Sequence, residues 1–510
     1  MNQRKAGAIL SYVYLAMTFA MGIFYTPLLL KWLGKSEYGV YTVASSAISF
    51  LAILDLGFNQ TMIRYVAKYK AEKDREGEER LNGMFLIFYS VIALTALIAG
   101  GILSFFLTDI FKKGFTADEA ATLQIIFRIL LINLVVSFPL GVYASITNAN
   151  EGFFFLKMVN IVSFVLTYGG ILVALCFGYK NIAMAVITTV VSIGLKMYTA
   201  VYATQKYNIK FRFQGFDREL LKEIFLFSFF IFLNIVIDQL YANTDKFILG
   251  ALCSSAMVTT YTVGVQFSSY FEQFSTSISG VFLPKITRMV TNGEEMGEVS
   301  ALFKRIGRVQ FILLGFLMSG FIVFGRTFIC LWVGSEEIAA YKIALVVILP
   351  GIIPLSQNLG ISVLRAMNKH RFRSVIYFFI ALFNVVLSIP LALKFGGFGA
   401  ACATGLATCL GQILTMNWFY YKKIGLDIPG YWREVGKILS ALIPIALLGC
   451  GLHLLPIWEH VGTKRVAQWG SLGVQCIIYG ILFLVLGWFF IFNEYEKELL
   501  TGFLRKFRKK

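Results

Sequence analysis

From Gly7 to Phe492, apolar stretches of about 20 residues follow one another, separated by short polar segments; at 1.5 Å per helical residue, each is long enough to cross the roughly 30 Å hydrocarbon core of a bilayer. The pattern predicts fourteen spanning helices, near 7–33, 38–58, 81–107, 120–146, 156–178, 181–204, 223–250, 256–283, 306–331, 338–366, 374–395, 399–421, 437–456 and 469–492. A chain patterned this way is an all-α polytopic membrane protein. Function is thereby confined to transport, lipid chemistry or assembly within a membrane.

Composition agrees. Hydrophobic residues make up 58% and charged residues 15%, where a soluble domain carries about 25% charge. A mean hydropathy of +0.73 leaves no room for a sizeable soluble domain. The first apolar run is too long for a signal-peptide core of roughly 7–15 residues, and no A-x-A site follows it, so it reads as a retained span.

The net charge of +18 is distributed by topology. If Met1 is cytoplasmic, alternate loops on that side hold 33 of the 46 Lys and Arg residues, the opposite loops hold 10, and three lie inside spans. Translocating basic loops is disfavoured, so both termini are expected in the cytoplasm, with the basic side against anionic lipid. Nucleic acid is not an expected partner. The seven cysteines show no C-x-x-C spacing, and His370, His453 and His460 are scattered, so neither a disulfide framework, a zinc site nor any other metal site is expected.

An internal repeat organises the chain. Asn150, Phe177-Gly178, Ala183 and Ala185 recur as Asn368, Phe395-Gly396, Ala401 and Ala403 at an offset of 218, and Tyr41-Thr-Val recurs as Tyr261-Thr-Val. Six spans then correspond to six spans, and an even repeat unit keeps the copies parallel. The expected organisation is an N-terminal lobe over 1–215, a C-terminal lobe over 216–425 with a central cavity between the two, and spans thirteen and fourteen with a basic tail over 426–510.

Charged groups inside spans cost at least about 2.5–3.5 kcal/mol on insertion scales and are functional candidates by default. Arg128 in span four can offer phosphate a planar fork, or pair with an acid on another span. Lys196 lies within snorkelling reach of an interface, and Lys246 adjoins Asp245 but points elsewhere on the helix. Arg64, Lys157 and Arg365 stand at span ends, where topology alone accounts for them and where an intake vestibule would also place them. Asp238 and Asp245, seven residues apart, share a face of span seven that Asn234 extends, and Glu272 lies within span eight. A carboxylate at that depth must be protonated, paired or cation-bound, which suits either an H⁺ or Na⁺ coupling site or a latch. Asp55 is expected to serve the turn leading to Arg64.

The run Leu54-Asp-Leu-Gly-Phe-Asn-Gln-Thr-Met-Ile-Arg64-Tyr resembles a pattern of the bacterial polysaccharide repeat-unit flippases of Wzx type. These belong to the MOP exporter superfamily, with the MATE antiporters and lipid II flippases. Trp32 to Tyr41, Thr244-Asp-Lys-Phe-Ile-Leu-Gly250, Phe282-Leu-Pro-Lys285 and the paired segments Asn148–Lys157 and Ala366–Arg373 resemble it too, in order along the chain. The resemblance implies export of undecaprenyl-pyrophosphate-linked oligosaccharide across the bacterial cytoplasmic (inner) membrane by alternating access, for assembly of O-antigen, capsule or exopolysaccharide. It also implies a polysaccharide polymerase and other assembly proteins as partners, no cofactor beyond a coupling ion, and a transporter rather than an enzyme. A cation-coupled drug or metabolite antiporter and a lipid II flippase are the alternatives within the superfamily. A polytopic enzyme would instead be expected to show a large loop or a His/Asp/Arg cluster.

Overall fold

The computed structural model describes residues 3–215, 218–458 and 465–508. His460, Lys464, Lys509, Lys510 and residue 216, where the second lobe is expected to begin, lie outside them. The helices run α1 Gln3–Leu33, α2 Lys35–Leu51, α3 Phe58–Glu72, α4 Arg75–Ile110, α5 Ala117–Ala149, α6 Phe153–Cys176, α7 Asn181–Tyr207, α8 Arg218–Leu252, α9 Ser255–Thr291 and α10 Met296–Trp332. They continue as α11 Ile338–Ser356, α12 Leu359–Ala366, α13 His370–Ala407, α14 Met416–Phe419, α15 Ile428–His453, α16 Arg465–Phe490 and α17 Glu494–Arg508. No strand occurs among the described residues.

Twelve helical segments among the described residues are long and apolar enough to cross a membrane. One of them, Arg371–Ile424, is 54 residues long, far beyond the roughly 20 that one crossing needs. It bends at Gly396, whose φ of +60° only glycine adopts readily, and so makes two traverses. Helix α9 is 37 residues long but too polar to count by hydropathy. Adding that bend and α9 gives the fourteen crossings that the apolar pattern predicts. The molecule is an all-α, multi-pass membrane protein.

The spans depart from the simple pattern at three places. The second does not end at 58: α2 gives way to one 3₁₀ turn at Ala52–Asp55, the chain turns through Leu56 (φ +53°) and Gly57 (φ +74°), and α3 carries on to Glu72. Asp55 holds that turn as expected, accepting a hydrogen bond from the Tyr89 hydroxyl at 2.9 Å and from the Gly57 and Asn59 amides. The expected span 338–366 breaks after Ser356, where Asn358 donates to the Ser275 hydroxyl at 3.0 Å and Ser275 donates to the Leu355 carbonyl at 2.6 Å. Helix α10 begins at Met296, about three turns before the expected 306, so Arg308 lies well inside the helix rather than at its start.

The chain divides into two compact units, Met1–Thr259 with Ala381–Ala400 and Thr260–Ile380 with Ala401–Lys510. In the first, Phe58, Met62, Tyr65, Phe85, Tyr89, Phe138 and Val142 form a core between α3, α4 and α5, and Tyr25, Leu29, Ile171 and Met184 form another between α1, α6 and α7. The opposite face of α4 presents Val91, Leu94, Ile98, Ile102 and Phe105 outward. A helix apolar on both faces is at home only in lipid. The α5–α6 and α12–α13 turns each pass through one left-handed residue, Glu151 and Asn368.

The second unit is built around polar pairs. Gln310 donates to the Ser275 carbonyl, Gln357 to Asn417 at 2.7 Å, and Ser356 shares a 2.5 Å hydrogen bond with Tyr431. Pro350 and Pro354 lie inside α11 and lack amide protons, so the carbonyls one turn before them lose their helical donors.

Candidate functional site

Five of the six candidate cations lie in the first unit. Arg128 projects from α5 beside the exposed Ile125 and Ile132, donates from Nε to the Ser104 hydroxyl at 2.8 Å, and lies 5.9 Å from the Phe105 ring. Its partner is therefore a hydroxyl, not an acid. Arg64 is exposed on α3 and stacks over Phe227 at 4.3 Å. Lys157 is half-buried in the first turns of α6.

Lys196 is half-buried on α7. It stands two turns beyond Thr189, whose hydroxyl reaches the Ile129 carbonyl of α5, and three residues before the buried Thr199. That spacing puts Lys196 on the α5-facing side of α7. It makes no hydrogen bond and no ion pair among the described residues.

Helix α8 carries Asn234, Asp238, Asp245 and Lys246. Although seven residues apart, Asp238 and Asp245 meet different surroundings: Asp238 is exposed, whereas Asp245 is buried and accepts a hydrogen bond from Ser388 at 2.7 Å. Ser388 in turn approaches the buried Asn384 at 3.4 Å. Lys246 is half-buried next to Asp245, and Asn234 is half-buried. In the second unit, Glu272 is exposed on α9 and Arg365 is exposed at the end of α12.

None of the six cations, Arg64, Arg128, Lys157, Lys196, Lys246 and Arg365, forms an ion pair among the described residues. Salt bridges are spent elsewhere. The strongest, missed by the sequence pattern, is Arg308 of α10: it donates from Nε to Glu496 at 2.9 Å, from Nη2 to the same carboxylate at 3.0 Å and to the Ile491 carbonyl at 2.9 Å, and also pairs with Glu434. The available signal was an arginine three residues before the uninterrupted apolar run that starts at Phe311, at the edge of the expected span 306–331.

A family model described as "Polysaccharide biosynthesis protein" matches residues 5–290, more than half of the chain. An O-antigen transporter of Shigella flexneri is 20% identical over 400 residues, covering 77% of this chain and 91% of that protein. Among solved structures, the lipid II flippase MurJ in its inward closed conformation superposes with a TM-score of 0.70 at 18% identity, over 93% of this chain and 99% of its own. An inward-facing multidrug-resistance MATE transporter of the MOP superfamily gives 0.61 at 13% identity, over 82% and 96%. These likenesses establish the MOP fold.

Proposed function

Since the chain belongs to the polysaccharide biosynthesis protein family of membrane flippases, we propose that it moves an undecaprenyl-pyrophosphate-linked oligosaccharide repeat unit across the bacterial cytoplasmic membrane by alternating access. Both termini lie in the cytoplasm in this reading, and the exported unit feeds assembly of O-antigen, capsule or exopolysaccharide. The curated O-antigen transporter, matched over most of both chains, supports the cargo class.

The observation that carries the reading is the set of cations that form no ion pair among the described residues, with Lys196 the most telling. An ammonium half-buried in a span and left without a counter-charge is expensive. Its retention is understood if an anionic ligand supplies the charge. A diphosphate does so, and the glycan meets the exposed polar residues Asn59, Gln60 and Arg64 of α3. Lys246, Arg128, Lys157 and Arg365 are the further candidates for the head group. Coupling falls to Asp238 and Glu272, with Asp245 and Asn234 beside them, and H⁺ or Na⁺ as the ion. A polysaccharide polymerase is the expected downstream partner.

The test is made in proteoliposomes loaded with a lipid-linked oligosaccharide whose glycan is accessible to an added lectin only on the outer leaflet. Protein-dependent appearance of glycan outside, faster under an imposed H⁺ or Na⁺ gradient, is the expected result. Transport of cationic drugs without movement of the glycan would overturn it in favour of an antiporter.

A further inference from the structure

Helix α17 has a second role written in its spacing. Over Glu494–Arg508, helical spacing in the sequence assigns Leu499, Leu500, Phe503, Leu504 and Phe507 to one arc of about 140°. Lys497 and Arg508 border that arc on one side, Lys506 on the other, and Arg505 stands opposite. After Glu498 the chain carries five Lys and Arg residues and no acid. The one acid inside the apolar arc, Glu496, is buried and neutralised by Arg308.

The first turn is thus fixed to the protein while the following turns continue the same face in apolar residues. Leu499, the first of them, is 48% exposed. The surroundings belong to a membrane surface. Trp488, Phe489 and Phe490 at the end of α16 point outward, Lys497 lies over the Trp488 ring at 5.4 Å, and Arg305 lies over Tyr495 at 4.7 Å. Aromatic rings bordered by basic side chains mark the headgroup level of a bilayer.

We propose that α17 is an interfacial helix that binds the anionic headgroups of the leaflet at which α16 ends, its apolar arc in the acyl boundary and its basic residues on lipid phosphate. The Arg308–Glu496 fork holds the helix against α10, so lipid charge bears directly on the α10 and α15 ends that Arg308 joins. The inference needs only that α17 lies at a membrane surface, so it stands or falls separately from the cargo.

Hydrogen exchange of the 494–508 segment tests it, with the full chain in nanodiscs of phosphatidylcholine alone or mixed with phosphatidylglycerol. Each basic residue near an anionic surface is worth about fivefold in partitioning. Exchange should therefore slow by at least about fivefold in the anionic discs and recover at high salt through screening. A variant carrying Arg505→Gln, Lys506→Gln and Arg508→Gln should fold normally, keep the phosphatidylcholine rate and lose the response to phosphatidylglycerol. Equal exchange of the wild type in both lipids, as a helix covered by protein would give, overturns the proposal. So does a lipid response that survives in the triple variant.

Discussion

Arg308 on α10 and Glu496 on α17 stand 188 residues apart in sequence, yet meet in a two-pronged fork, Nε to Oε1 at 2.9 Å and Nη2 to Oε2 at 3.0 Å. The side chains are 9% and 6% exposed, and Glu434 of α15 closes the other edge of the guanidinium. One arginine therefore joins three helices. Its planar shape is what makes this possible, since an ammonium has no second edge to present.

Removing one partner of such a pair leaves the other charged and buried, at a cost of about 3–5 kcal/mol. Arg308→Ala should lower the unfolding midpoint of the purified protein sharply. Arg308→Lys should recover only part of the loss, because Lys cannot span Glu434 and Glu496 together. Thermal unfolding in detergent measures both, and a midpoint unchanged in Arg308→Ala would show that the fork carries no stability.

Asp427 caps α15 outside the spans. Its carboxylate accepts from Lys304 at 2.5 Å and from the Gly430 amide at 2.9 Å, and these bonds hold its pKa below the ordinary value of 3.8. The folded state therefore binds this proton less readily than the unfolded state. The stabilisation is complete above the unfolded pKa and is lost as pH falls through the lower, folded value. Because the side chain is 44% exposed, the effect is modest. Asp427→Asn keeps the cap but removes the charge, so wild type should exceed the variant in midpoint at neutral pH, and the two should converge as pH falls through the lowered, folded pKa. A gap that persists unchanged in acid would assign the difference to something other than this charge.

Much of this architecture was legible in the hydrophobic pattern because lipid imposes it residue by residue. Crossing lengths and the turn at Asp55 both follow from local sequence. What escaped depends on distant partners. The break at Gln357 and Asn358 is set by Ser275 of α9 and Asn417 beyond it, and Arg308 finds its acids on α15 and α17. Asp238 and Asp245 share a helical face, yet only Asp245 is buried, because Ser388 packs against it from α13. Periodicity assigns a face but not what stands opposite it.

Gly39 shows how closely the α9 start approaches α2. A Cβ there would fall 1.9 Å from the Ser255 carbonyl oxygen, while Thr259 donates to the Lys35 carbonyl and Ser255 to Glu119, each at 2.6 Å. Small residues permit such contact between helices in membranes. Gly39→Ala must push backbone apart, costing about 1–3 kcal/mol. Gly141→Ala on α5, where the added carbon meets open space, should leave stability unchanged or slightly raised. Comparable midpoints for the two variants would mean that the α2 contact relaxes freely.

Lys196 makes the last prediction, because for it stability and transport should move in opposite directions. The half-buried ammonium has no hydrogen bond or ion pair to lose among the described residues, and burying it opposes folding by about 2.5–3.5 kcal/mol on insertion scales. Lys196→Met fills nearly the same volume without the charge, so the variant should unfold at the same temperature or higher. If the ammonium meets the cargo phosphate, the same variant should lose transport by at least about tenfold, the equivalent of one ordinary charged hydrogen bond. Lys196→Arg should retain most of it. Arg128 offers the comparison: its guanidinium has Ser104 as a partner, so Arg128→Ala should cost some stability as well as any transport it supports. Transport assays and unfolding midpoints on the same preparations separate the cases. A stable Lys196→Met protein that transports at the wild-type rate would remove this residue from the site.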